Sequence, residues 1–184
     1  MEKLDPVARL TRDLAQASKT LSHTEARFLV DAYYTMQGNR IRADGQIRSM
    51  ARGETFEPHS VLMWLSDQNA TLEAQIKRAL TAYVESHPVG PWLTSIYGIG
   101  PVISAGLLAH IDIERAPTAG HIWSFAGLDP TKKWNKGERR PWNAALKVLC
   151  WKAGESFVKF HKNEQCFYGK YYASQKALYE ARND

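Results

Sequence analysis

The sequence predicts an all-α protein: N-terminal helices, one long coiled-coil-like helix, then a compact helical domain. Three observations predict it. Apolar residues recur at spacings of three and four through most of the chain. Start and stop signals punctuate those runs at intervals suited to helices. No segment alternates apolar and polar residues with the period of two that a half-buried strand needs, and no internal repeat is present.

Taken in order, Asp5-Pro6 reads as a helix start, Asp5 as the cap and Pro6 at the first helical position. Val7, Leu10, Leu14 and Leu21 continue a helical stripe. Ser22-His23-Thr24-Glu25 has the form of a capping box, with Ser22 as cap and Glu25 three residues in. Phe28, Leu29, Tyr33 and Met36 then fall on one face. The same helix can run past Gly38 toward Met50, and this extension carries Arg40, Arg42, Arg48 and Arg52 at mixed spacings. A break is expected at residues 52–55 and at Glu57-Pro58.

From Ser60 to Ser86 the pattern becomes regular. Leu62, Leu65, Asn69, Leu72, Ile76, Ala79 and Tyr83 alternate spacings of three and four, an a/d seam with Asn69 at an a-type position. Two readings stand: an amphipathic helix on its own domain, or a coiled coil within or between chains. A buried Asn at one a position fixes register at a cost in stability, which points toward self-association. His87-Pro88-Val89-Gly90-Pro91 ends this helix. The chain thus divides into an N-terminal helical segment (1–57), a long helix (58–87) and a C-terminal domain (88–184).

The C-terminal domain opens with the most informative stretch. Pro91 to Leu108 reads as short helix, tight turn and second helix, with the turn at Gly98-Ile99-Gly100 and Pro101 at the first helical position. The pattern resembles the helix-hairpin-helix element of nucleic-acid-binding proteins. Both glycines can adopt positive φ and let a phosphate approach the backbone. Free N–H groups at the turn and the next helix start form an anion site that reads no base. Ile99 is expected to point inward, and Ser104, Ala105 and Gly106 to allow close helix approach.

Residues 119–128 read as a buried short helix. A basic loop follows: from Lys132 to Trp142 stand five basic residues (Lys132, Lys133, Lys136, Arg139 and Arg140) and one acid, Glu138. Such cations neutralise phosphates. Trp134 can stack on an unpaired base, and Arg139 or Arg140 can make a bidentate contact. Trp142, just before an apolar helix, reads as core packing. That helix, about Asn143–Phe160, has Leu146, Leu149, Cys150, Ala153 and Phe157 on one side and Lys147, Lys152 and Lys159 off it. Tyr168, Tyr171, Tyr172 and Tyr179 of the last helix read as packing and rim residues.

Composition narrows the function. Net charge is +5, and the excess is local: residues 131–162 carry 9 basic and 2 acidic side chains, while residues 1–87 carry 11 of each. A localised block points to a polyanion partner. With 44% apolar and 23% charged residues the chain can bury a core. No stretch is apolar enough to cross a bilayer, and the first residues lack a secretory pattern. Cys150 and Cys166 form no CxxC pair, so a reducing, cytoplasmic setting is expected. His110, Asp112 and Glu114, like Cys150, His161 and Cys166, lack the paired spacing of a zinc site, and Asp112 and Glu114 read as turn caps. No GxSxG, P-loop or HExxH motif is present. No catalytic residue, metal or cofactor is expected on these grounds.

Ile96-Tyr97-Gly98-Ile99-Gly100-Pro101-Val102-Ile103-Ser104-Ala105, then Phe125-Ala126-Gly127-Leu128-Asp129-Pro130, the basic loop and Asn143-Ala144-Ala145-Leu146-Lys147 together resemble the C-terminal domain of insertion-sequence transposases of the DEDD type. In that family a helical coiled coil precedes the domain, the place residues 60–86 hold here. The family also carries a ribonuclease-H-like domain with four acidic metal ligands, and a catalytic serine near the basic loop. Residues 1–57 offer Asp5, Asp13, Asp31 and Asp44 with no strand pattern to mount them. The loop from Lys132 to Asn143 has no serine; Ser124 precedes it and Ser156 follows it. The resemblance therefore implies inherited nucleic-acid binding without the recombination chemistry, as in a phage or mobile-element accessory protein.

The expected function is non-enzymatic binding of nucleic acid, DNA before RNA, by a homodimer formed through residues 60–86. The contacts expected are Gly98, Ile99, Gly100, Lys132, Lys133, Trp134, Lys136, Arg139 and Arg140. Two alternatives remain: a residual recombinase or nuclease subunit, and a protein-interaction module such as an inhibitor of host defence.

Overall fold

The computed structural model describes residues 10–51 and 60–183. The expected helix start at Asp5-Pro6, Val7 and the break at residues 52–58 lie outside them. The fold is all-α, and among the described residues there is no strand. The chain divides into two compact units, Met1–Ser86 and His87–Asp184.

In the first unit, α1 (Arg12–Ala17) and a short 3-10 turn (Ser18–Thr20) lead into α2 (His23–Met50) and α3 (Ser60–Ser86). The capping box forms: Glu25 N donates to Ser22 Oγ, and Ser22 N donates to the Glu25 carboxylate at 2.8 Å. The α2 helix does continue past Gly38 to Met50. Asp44 of α2 meets Ser66 of α3, while Gln37 and Arg40 meet Glu73, so the two helices run antiparallel. Ala26, Val30 and Ala43 of α2 and Ser66, Asn69, Ala79, Leu80, Tyr83 and Val84 of α3 are buried in this unit.

The faces differ in part from the expectation. Phe28 is 71% exposed, because it lies two residues, about 200°, from buried Ala26 around the helix. Of the α3 seam, Asn69, Ala79 and Tyr83 are buried, but Leu65 and Leu72 are 43% and 37% exposed. The inward stripe has moved one residue along, onto Ser66, Glu73 and Leu80. Asn69 finds its partner within its own helix, donating to Leu65 O at 2.8 Å.

A polar ladder crosses this interface. Arg40 Nε donates to Glu73 Oε2 at 2.7 Å, and Arg40 also reaches Asp44 at 3.4 Å. Gln37 donates to both Tyr33 Oη and Glu73 Oε1. Burial pushes the Glu73 carboxyl up, but the hydrogen bonds from Arg40 and Gln37 and the Arg40 charge outweigh it and hold its pKa below the ordinary value.

In the second unit, α4 (Gly90–Ser95), α5 (Pro101–His110), α6 (Ala119–Phe125), α7 (Ala144–Lys159) and α8 (Phe167–Asn183) surround a small core. Leu93, Ile99, Val102, Ala105, Leu108, Ala126, Leu146, Leu149 and Cys166 are buried in it. Helices α5 and α7 pack antiparallel, because Gly98 meets Ser156, Gly106 meets Leu149 and His110 meets Asn143. A Cβ on Gly106 would lie 2.6 Å from Leu149 Cδ2, so the missing side chain permits the approach, as the small residues 104–106 predict. The α6 helix corrects an expectation. It forms, but Trp123 is 60% and Phe125 45% exposed, and Ala126 just past its end is the group that is buried. On α8, the Tyr168 ring sits 4.8 Å from Phe157 and Tyr172 stands against His161, while Tyr171 and Tyr179 lie on the surface.

The ladder yields a stability prediction. Glu73→Ala is expected to cost the first unit about 2 kcal/mol at neutral pH, the scale of a charged hydrogen bond. Because the folded pKa is depressed, this stabilisation is fully present above the unfolded-state value of about 4.3. It is lost as pH falls through the lower folded value. Urea unfolding of wild type and variant across that pH range would show the gap closing; a constant gap would refute the assignment.

Candidate nucleic-acid interface

The α4–α5 turn is built by short-range bonds and a clamp from α7. Ile96 N donates to Leu93 O and Ile99 N to Ile96 O, which closes the bend. Gly98 sits at φ +97, where a side chain is strained, and a Cβ there would stand 3.1 Å from the Phe157 ring. Ser156 Oγ donates to Gly98 O at 2.6 Å, and Asn163 Nδ2 donates to Tyr97 Oη at 2.7 Å. Cys166 is fully buried beside them, its thiol directed at Tyr97 O. Ile99 points inward as expected and is 7% exposed.

Gly100 departs from the expectation. It is the N-cap of α5 in ordinary extended backbone (φ −90, ψ 173), and only Gly98 of the pair uses the left-handed region. Gly100 is exposed, and a Cβ on it would meet nothing within 4 Å. Among the described residues, the amides of Gly100, Val102 and Ile103 have no acceptor, while Ser104 N bonds to Gly100 O. Three donors therefore remain at the positive end of a 10-residue helix.

The basic loop is a folded object. Gly127, at φ +69, ends α6: its N–H bonds to Ser124 O and that of Leu128 to Trp123 O, a Schellman cap. Asp129 accepts from Thr131 N and Oγ1 at 2.9 and 2.7 Å. The Thr131 hydroxyl first, then its amide, lowers the Asp129 pKa. Glu138, the loop's own acid, accepts from Asn135 N and Nδ2. Asn143 closes the loop. Its N–H bonds to Phe125 O, its Oδ1 caps α7 through Leu146 N, and its Nδ2 lies 3.0 Å from His110 Nδ1.

The two tryptophans are positioned from the core outward. Trp142 lies on Gly127, where a Cβ would stand 2.5 Å from the indole. Trp134 meets Trp142 edge-to-face at 6.3 Å and donates Nε1–H to Glu138 O at 2.8 Å. Arg140 Cζ is 4.6 Å above the Trp134 ring and Lys147 Nζ is 4.9 Å from that of Trp142. Every residue from Thr131 to Pro141 is exposed. Among the described residues, Lys132, Lys133, Lys136, Arg139 and Arg140 form no ion pair, since both nearby acids are held by amides and a hydroxyl.

The turn and the loop are anchored at opposite ends of α5. The turn is at the start of α5 beside Ser156, and the loop is anchored at the far end, where His110 meets Asn143. The rise of ten helical residues puts these two anchor points about 15 Å apart. The Ser156 clip, the Gly127–Trp142 contact and the His110–Asn143 bond escaped sequence reasoning. Only Gly127, a glycine just after a helical run, carried a readable signal for its cap.

Elsewhere, Asp112 accepts from Glu114 N, the capping role its position predicts. Burial raises the Cys150 thiol pKa. Among the described residues no three His, Cys, Asp or Glu side chains gather into a metal-binding group, and no helix is long and apolar enough to cross a membrane.

Gly127→Ala should destabilise this unit by about 1–3 kcal/mol, combining left-handed strain with overpacking. It should also displace Trp142, read as a shift in tryptophan emission; an unchanged melt and spectrum would contradict the packing described.

Residues 91–160 match the family described as "Transposase IS116/IS110/IS902 family". The matched stretch holds the turn, the loop and all of α7. A curated protein from Streptomyces coelicolor, "Insertion element IS110 uncharacterized 43.6 kDa protein", is 44% identical over 75 residues. Those residues are 40% of this chain and 18% of that protein, so the chain spans under a fifth of the relative it matches. No solved structure matches. The second unit thus contains a transposase-like segment.

Proposed function

We propose that the His87–Asp184 unit binds nucleic acid through its phosphate backbone, DNA in preference to RNA, with no catalysis of its own. The observation that carries this reading is the loop. Five exposed cations lie within 9 residues, and among the described residues none of them forms a close ion pair, although the Lys132 charge acts on Asp129. Confined like charges repel one another, and a polyanion relieves that repulsion. The α4–α5 turn serves as a helix-hairpin-helix whose amides at Gly100, Val102 and Ile103 take a second phosphate. A separation of about 15 Å is several times the 3.4 Å axial rise per phosphate of one strand. The two grips therefore hold different phosphates and fix orientation without reading sequence. The DNA preference rests on the similarity of residues 91–160 to transposases, and with it the placement in a mobile element or phage. Ser156, which follows the loop, donates to Gly98 O and holds the turn.

The full chain should bind a DNA duplex with an affinity that falls steeply between about 50 and 200 mM salt, the log–log slope being about −0.9 per phosphate neutralised. Replacing Lys132, Lys133, Lys136, Arg139 and Arg140 with Gln should abolish binding in fluorescence anisotropy. Undiminished affinity would remove the proposal, and equal binding of duplex RNA would remove the DNA preference.

The chain is further proposed to dimerise through residues 60–86. Leu65 and Leu72, one heptad apart, leave seam positions of α3 uncovered. Sedimentation velocity should report a dimer for the wild type and a monomer for the Leu65→Glu/Leu72→Glu variant; a monomeric wild type would exclude it.

A further inference from the structure

We infer that Arg140, stacked on Trp134, is the one bidentate phosphate fork of the loop, and that Trp134 is its platform rather than a base-stacking group. This rests on the proposed nucleic-acid binding and assigns the loop's cations unequal roles.

The five cations are alike in charge but not in restraint. Four layers run outward from the core: Gly127, Trp142, Trp134, Arg140. Each layer is fixed by the one beneath it. Trp142 rests where Gly127 has no side chain, and Trp134 is held by the Trp142 edge and by its bond to Glu138 O. Glu138 is fixed in turn by Asn135. Arg140 Cζ lies 4.6 Å from the Trp134 ring centroid, and a guanidinium held over an indole by its charge keeps its N–H donors available to a further partner. Among the described residues those N–H groups of Arg140 meet no acceptor. A planar fork with an open edge matches two oxygens of a phosphodiester.

Stacking also removes the entropic penalty. A free arginine loses up to about 2 kcal/mol of rotamer entropy when ordered, whereas Arg140 is already restrained. Among the described residues no ring contact or close ion pair holds Lys132, Lys133, Lys136 or Arg139, and only Lys132 feels a carboxylate, Asp129; these four act as screened point charges. Trp134 offers less to a base than its exposure implies, since Arg140 covers one face and Glu138 takes its only donor.

The test measures full-chain affinity by anisotropy for DNA duplexes with and without G·C pairs, over a salt series. Arg140→Lys keeps the charge but loses fork and stack. It should weaken binding about tenfold, the scale of one charged hydrogen bond, with the salt slope unchanged. Arg139→Lys should change affinity less than about twofold, as a screened point charge keeps its sign. Trp134→Ala should match Arg140→Lys, and the double variant should be no weaker than either alone. Trp134→Phe keeps a ring but loses the bond to Glu138 O and should fall between wild type and Trp134→Ala, while unchanged thermal melts of all variants separate loss of the platform from loss of the fold. Equal effects of Arg139→Lys and Arg140→Lys would overturn the inference. So would a full further loss from Trp134→Ala in the Arg140→Lys background, the signature of direct base stacking. An Arg140→Lys loss confined to duplexes with G·C pairs would overturn the phosphate assignment. A wild type that binds neither duplex at low salt would instead sink the binding proposal itself.

Discussion

The close crossing of α5 over α7 organises the second unit. Gly106 on α5 has no side chain, and Leu149 of α7 fills the space. A glycine inside a helix costs about 1 kcal/mol relative to alanine. Here an alanine Cβ would stand 2.6 Å from a buried leucine methyl, so packing outweighs propensity. The crossing fixes the antiparallel register of the pair. That register sets Ser156 under the turn at one end and Asn143 against His110 at the other. Neither the turn nor the loop has enough apolar surface to hold itself in place; both are attachments to this pair of helices.

Electrostatics in the loop follow the same logic. An acid beside a lysine on a surface would normally pair with it weakly. Asp129 and Glu138 instead accept from amides and a hydroxyl within the loop, so they shape backbone, and among the described residues no close ion pair forms with the loop's cations. The first unit does the reverse. Its Arg40 is bound to Glu73 across the α2–α3 interface and to Asp44 one turn along its own helix. One arginine settles helix register and another stays open to a partner, and the difference lies in what the nearby carboxylates are already bonded to.

Much of the fold was legible from local rules. The Ser22–Glu25 box, Pro101 opening α5 and Asn143 capping α7 are each determined within four residues, and they form as the sequence implies. Faces were less legible, since a stripe names an apolar side without naming its partner. Phe28 is exposed because the neighbour of α2 is α3, which meets the Ala26–Val30 side. On α6 a two-turn helix with three aromatic or aliphatic groups looked buried, yet so short a helix can turn few of them inward. The candidate residues were found by composition, but not their arrangement. That Ser156 clamps Gly98 and that Asn143 anchors the loop against His110 both depend on contacts between residues 30 to 60 positions apart.

The separation of these two anchors changes what the unit can recognise. One pocket joining turn amides and lysines would suit a small anion as well as a polymer. Two anchored grips at the ends of a helix pair reward only a ligand that presents charge at both places, at a spacing it keeps without strain. A stiff, repeating polyanion meets that condition, and a mononucleotide or inorganic phosphate does not. Each grip alone is weak, since exposed cations gain little in salt and a helix terminus holds a partial charge. On the proposed function, a fixed spacing is what converts two weak contacts into one selective surface, and the Gly106–Leu149 crossing, which sets the register of α5 on α7, is what fixes the spacing of their anchors.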